Sequence, residues 1–93
     1  MRKNDLDKES RVLKALANIT RLAIVKELLK KEKCVSDIEH LLGARQANIS
    51  QHLAILRWAN IVDCCYDGKM HCYYLKDPKM MLHLLELLKK LKT

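Results

Sequence analysis

The chain has no phenylalanine, one tryptophan, two glycines and one proline among its 93 residues. Its core must therefore be built from Leu, Ile and Val, as expected of packed helices. No Gly-rich phosphate loop, repeat, low-complexity tract or linker is present. No apolar run approaches the roughly 20 residues of a membrane span. The opening MRKNDLDKES lacks the apolar stretch of a signal peptide, so cytoplasmic residence is expected. Thiols are normally reduced there, so the four cysteines are not read as a disulfide framework. A thiol enzyme finds no support either. There is no Cys-x-x-Cys motif, and Ser50 and His52 stand only two apart on a helix, pointing in different directions.

What is present is positive charge and helical periodicity. A net charge of +7 favours a polyanionic partner, nucleic acid or an acidic membrane surface. A chain this short makes one domain, residues 1–93, and often gains stability by oligomerising. Val12, Leu13, Leu16 and Ala17 predict a first helix over 8–17. Asn18 can cap a second, striped by Leu22, Val25, Leu28 and Leu29 and ended by the run Lys30 to Lys33. Ser36-Asp37-Ile38-Glu39 is a capping-box pattern, predicting a short helix from Ser36 to Gly43. A fourth helix runs from about Gln46 to Ala59, with Ile49, Leu53 and Leu56 inward and Asn60 suited to its end.

Residues 61–66 and 70–75 read as strands, with Asp67-Gly68 as the hairpin turn. Pro78 opens a last helix, MMLHLLELLKKL, that is apolar on more than one stripe. A monomer of this size has nothing to cover that surface, so a homodimer is expected, with the first helix contributing. The blander alternative is that the extra leucines cap the monomer core.

Two helices joined by a short Gly-containing turn present the second to the major groove of DNA. Gln46 and Ser50, and Ala47 and Gln51, are each four apart, so they share the face opposite Ile49, Leu53 and Leu56. Gln pairs with adenine, Ser is adaptable, and Ala meets a thymine methyl. Arg45, His52, Arg57 and, at the hairpin tip, Lys69 suit phosphates. The plainer reading of that polar face is ordinary solvation; charge, turn and hairpin together weigh against it.

The segment Ala17-Asn18-Ile19-Thr20-Arg21-Leu22, the stretch Val35 to Val62 with Ser50-Gln51-His52-Leu53, and Gly68-Lys69 followed by Tyr73 and Leu75 resemble the ArsR/SmtB family of winged-helix repressors. The likeness covers roughly 10–92, with Ile19 where proline is usual. It implies a homodimer that represses an inverted-repeat operator until an inducer releases it. The fold expected is mainly α, a winged helix-turn-helix of about five helices plus one two-stranded β-hairpin wing.

The family's two familiar metal positions are altered here. Where a Cys-Val-Cys-Asp run supplies two thiolates, this chain has Cys34-Val35-Ser36-Asp37. On the last helix Asp77 matches, but Lys79 and Lys90 fall where histidines should be, and a lysine ammonium has no lone pair for a metal. His83 and Glu86 are out of register for that site. No cofactor is required by the sequence.

The hairpin cysteines are the unusual feature. With Asp67-Gly68 as the turn, Cys64 lies opposite His71 and Cys65 opposite Met70, placing Val62, Cys64, His71, Tyr73 and Leu75 on the core face. Cys65 and Cys72 then share the outer face as diagonal neighbours. Three sensor readings follow: a redox or persulfide pair of Cys65 and Cys72, a soft metal or metalloid ion held by Cys64, Cys65 and Cys72, or a part for Cys34 with partners elsewhere. Against them stands the reading of all four as small apolar fillers. A protein-interaction module that makes no DNA contact is the remaining functional alternative, as is a DNA-binding repressor without thiol sensing.

Overall fold

A computed structural model of the chain describes residues 2–68 and 70–91. The helices are α1 (Lys3–Leu16), α2 (Ile19–Lys30), α3 (Val35–Leu42), α4 (Gln46–Trp58) and α5 (Pro78–Lys89). The strands are β1 (Lys33–Cys34), β2 (Val62–Asp67) and β3 (Met70–Leu75). The helix caps follow side-chain chemistry. Asn18 Oδ1 accepts the Arg21 N–H at 3.1 Å to start α2, and Asp77 Oδ1 accepts the Met80 N–H at 3.1 Å to start α5, with Pro78 just inside. Gly43 closes α3 in the left-handed conformation, φ +63°, and Asn60 does the same after α4, φ +61°.

The core lies where the helices meet the sheet. Ile24, Val25 and Leu28 of α2, Ile38 of α3, Ile49, Leu53 and Leu56 of α4, and Met81 and Leu85 of α5 are buried together with Val62 and Leu75. α1 begins at Lys3 rather than residue 8, and it turns Leu13 outward, 64% exposed, while Ala15 and Leu16 pack inward.

Three expectations are corrected. The sheet has three antiparallel strands in the order β1-β3-β2, because the extended pair Lys33–Cys34 adds to the free edge of β3. That pairing holds residues 33–34 extended and moves the start of α3. Cys34, not Ser36, is the N-cap, and the Asp37 carboxylate accepts the Cys34 N–H at 3.2 Å. The hairpin register also shifts. Asp67 pairs with Met70, so Gly68, φ +65°, follows the last residue of β2 instead of Asp67-Gly68 forming the loop. The left-handed position goes to glycine, the residue that adopts it at no steric cost.

Candidate nucleic-acid interface

α4 presents two chemically distinct faces. Ile49, Leu53 and Leu56 are wholly buried, whereas Gln46, Ala47, Ser50 and Gln51 are exposed on the other side. Arg45 is the exposed N-cap of the same helix. A groove between the start of α4, the start of α3 and the sheet is lined by Gln46, Ser50, Cys34, Ser36, Met70 and His71. Gln46 and Ser50, two of the four residues expected to read bases, therefore border one cleft with Cys34. Lys69 lies outside the described residues.

His52 is half-buried and turned toward the body of the protein. The Arg21 guanidinium spans three partners, donating to Ala15 O at 2.6 Å and Lys14 O at 3.4 Å and meeting His52 Nδ1 at 3.1 Å. Burial, and then the Arg21 charge, hold the His52 pKa below its ordinary value. The ring is thus neutral at pH 7, with Nδ1 accepting from Arg21 and Nε2–H left as its donor. Nothing local in the sequence marks Arg21 for this role. The residue is far from α4 in sequence, and only the fold brings the last carbonyls of α1 beside that helix.

Arg57 forms an ion pair with Asp63 at the start of β2, Nε to Oδ1 3.3 Å, and that same carboxylate oxygen accepts the Cys64 N–H at 2.9 Å. Arg11 of α1 lies 5.2 Å from the centre of the Trp58 ring at the far end of α4. At the hairpin end, Tyr66 and His71 are directly opposed and meet edge to face at 4.6 Å.

The cysteines are rearranged relative to expectation. Cys64 pairs with Tyr73, Cys65 with Cys72, and Tyr66 with His71. Cys65 and Cys72 do share a face, but as directly opposed residues, and His71 is exposed rather than in the core. Cys72 is buried, and it is joined to Cys34 by a disulfide across the β1–β3 pair. This overturns the expectation that the thiols form no disulfide. Cys64 points to the opposite face of the sheet, so the joint site of Cys64, Cys65 and Cys72 does not assemble. Burial, with the neighbouring Cys64 next in effect, pushes the Tyr73 phenol above its ordinary pKa. The Cys65 thiol donates to the Glu32 carboxylate at 3.4 Å.

At the family's metal positions the residues present do not fit a metal. Ser36 offers only a hydroxyl in the exposed first turn of α3, and Lys79 and Lys90 are exposed cations at the two ends of α5. Among the described residues no group of three or more His, Cys, Asp or Glu side chains is arranged to hold an ion. No described helix is long and apolar enough to cross a membrane.

A helix pair closed by a left-handed glycine, followed by a hairpin packed beside it, defines a winged helix-turn-helix protein. Residues 18–63 match the family model described as "Bacterial regulatory protein, arsR family". The chain is 37% identical over 84 residues to the cadmium resistance transcriptional regulatory protein CadC of Listeria innocua, covering 89% of this chain and 70% of that one. It is similar in structure to HlyU from Vibrio cholerae (TM-score 0.81, 37% identity, 95% and 97% of the two chains covered). It is likewise similar to the homodimeric winged helix-turn-helix DNA-binding domain of a possible ArsR-family transcriptional regulator from Mycobacterium bovis (TM-score 0.83, 29% identity, 91% and 81% covered). The chain belongs to the ArsR family. It is a DNA-binding transcriptional repressor, not an enzyme.

Proposed function

We propose that this repressor acts as a homodimer on an inverted-repeat operator, and that the thiol state of its wing sets its grip on DNA. In this reading Gln46, Ala47, Ser50 and Gln51 meet base edges, while Arg45, Arg57, Lys69 and the Nε2–H of His52 meet phosphates. Arg57 exchanges Asp63 for a phosphate on docking. Apolar surface supports the dimer. Leu6 and Leu13 of α1 and Met80, Leu82, Leu87 and Leu88 of α5 are all more than 40% exposed, an unusual amount for so small a protein. A two-fold dimer built on these helices places two copies of α4 against successive major grooves.

The observation that carries thiol control is the Cys34–Cys72 bond. It links the N-cap of α3, the first helix of the DNA-reading pair, to the central strand of the wing. A disulfide in a reducing compartment is commonly a sensing one. The reduced form, whose wing and reading helices adjust independently, binds the operator, and oxidation locks them in one spacing and releases it. The relative named for cadmium resistance favours a second trigger at the same place: the reduced Cys34 and Cys72, on adjacent strands, offer two thiolates to a thiophilic ion. The test is operator binding by fluorescence anisotropy, with wild type and Cys34→Ser each reduced and then oxidised. Wild type should lose affinity on oxidation and Cys34→Ser should not; an equal response in both rejects Cys34 as the sensor.

A further inference from the structure

The sheet carries three cysteines abreast. Its order is β1-β3-β2, and Cys72 of β3 is paired on one side with Cys34 and on the other with Cys65. Directly opposed residues of antiparallel strands point to the same face. The three sulfurs therefore form one row, with Cys72 in the middle. Cys34 and Cys72 are bonded with their Cα atoms 3.9 Å apart, and directly opposed positions such as Cys65 and Cys72 generally have Cβ atoms about 4.5–5.5 Å apart, close to what a disulfide spans. Cys34 and Cys65 are two strands apart, roughly 9.5 Å, and cannot bond. Cys72 is the obligate partner in either possible bond.

From this row we infer that Cys65 is an exchanging thiol that takes Cys72 from Cys34, moving the disulfide from between α3 and the wing to within the hairpin. The inference rests on the thiol-control reading above and deepens it. Three features of the row suit the exchange. The attacking thiol belongs to the strand on one side of Cys72 and the departing thiol to the strand on the other, so the attack comes from the side away from the bond that breaks. The Cys65 thiol already donates to Glu32, which lies two residues before Cys34 and reaches across β3 from the far side, so a base for its proton is in place. The departing sulfur belongs to the N-cap of α3, where helix N–H groups favour a thiolate, and a stabilised thiolate leaves faster. Asp37, held against the Cys34 N–H, opposes that last effect with its own charge.

The step balances without any outside oxidant or reductant. Cys65 gives its proton to Glu32, the Cys65–Cys72 S–S bond forms, and the Cys34–Cys72 S–S bond breaks with its electron pair on Cys34. Cys34 then takes a proton, so one disulfide and one thiol exist before and after. The outcome differs in structure. Cys34 and the α3 cap are released from the wing, and the groove shared with Gln46 and Ser50 loses its covalent strut.

The test is a disulfide map of the full chain carrying one bond per molecule, incubated without oxygen, quenched with acid, alkylated, digested and analysed by mass spectrometry. Wild type should yield both Cys34–Cys72 and Cys65–Cys72 peptides. Cys34→Ser, which places a good capping residue at the helix start, should form Cys65–Cys72 on oxidation. Cys65→Ser should give Cys34–Cys72 alone, Cys64→Ser should leave both, and Glu32→Gln should slow the interconversion by about tenfold or more. A wild-type map holding only Cys34–Cys72 after long incubation, or a Cys34→Ser protein with no Cys65–Cys72 bond, overturns the exchange. The map is read without DNA, so it decides the exchange alone, whereas an oxidised protein that keeps its operator counts only against thiol control of binding.

Discussion

Replacing Arg21 with methionine keeps an aliphatic stem of similar reach but removes the guanidinium that ties the end of α1 to α4. Ala15 is fully buried, and its carbonyl lies in the last turn of α1, where the helix offers no continuing donor. Losing the 2.6 Å bond leaves that acceptor unsatisfied at a cost of about 1–3 kcal/mol. The half-buried bond to His52 contributes about 1 kcal/mol, and the exposed contact to Lys14 O essentially nothing. The sum is about 2–4 kcal/mol, and at about 4–8 °C per kcal/mol for a domain of this size the Tm should fall by roughly 8–32 °C. Thermal unfolding followed by circular dichroism, at fixed protein concentration because the midpoint of the proposed dimer depends on it, measures this directly. Arg21→Lys should fall between the two, since an ammonium cannot span the same partners. A methionine variant within about 3 °C of wild type would refute the idea that Arg21 is the tie between these helices.

Other outcomes follow from the same geometry. His52, held below its ordinary pKa of 6.5 by burial and Arg21, is protonated more readily when unfolded. Its share of stability is therefore full above about pH 6.5 and lost as pH falls from there through the depressed folded value; His52→Asn should remove that component of the urea midpoint's pH profile, and an unchanged profile would exclude it. Alanine at Gln46, Ser50 and Gln51 together should abolish discrimination between operator and scrambled DNA while leaving non-specific, salt-sensitive binding in place; retained discrimination would place recognition elsewhere. Leu82→Glu with Leu87→Glu should convert the dimer to a monomer in sedimentation velocity. Each buried leucine contributes about 1.5–3 kcal/mol and is counted twice across a two-fold axis, so the dissociation constant should rise at least about 100-fold. A persistent dimer would move the interface off α5.

The helical part of this fold was legible because its signals are local. Asn18 and Pro78 mark helix starts, Gly43 and Asn60 mark helix ends, and the spacing of Ile49, Leu53 and Leu56 identifies the buried face of α4. The opposite, exposed face could be read from that spacing too. What could not be read were contacts between residues distant in sequence. Lys33–Cys34 is too short to register as a strand and becomes one only because β3 offers a free edge. Cys34 and Cys72 are separated by 38 residues, so their bond left no local trace. The hairpin register turned on a single position. With Asp67 in β2 instead of the turn, every cross-strand partner of β2 shifts by two, which left Cys64 on the face opposite Cys65 and Cys72 and moved Cys65 from diagonal to directly opposite Cys72. Arg21's bridge and the Glu32 contact to Cys65 are likewise products of the fold.

The most direct test of redox-gated operator binding is hydroxyl-radical footprinting on the DNA upstream of the protein's own gene, with reduced and then oxidised protein at one salt concentration. Reduced protein should protect two dyad-related segments about one helical turn apart, with further protection where the wings lie, and oxidation should erase the pattern. Identical footprints in the two states would contradict thiol control, and a single protected half-site would contradict the dimer that reads it.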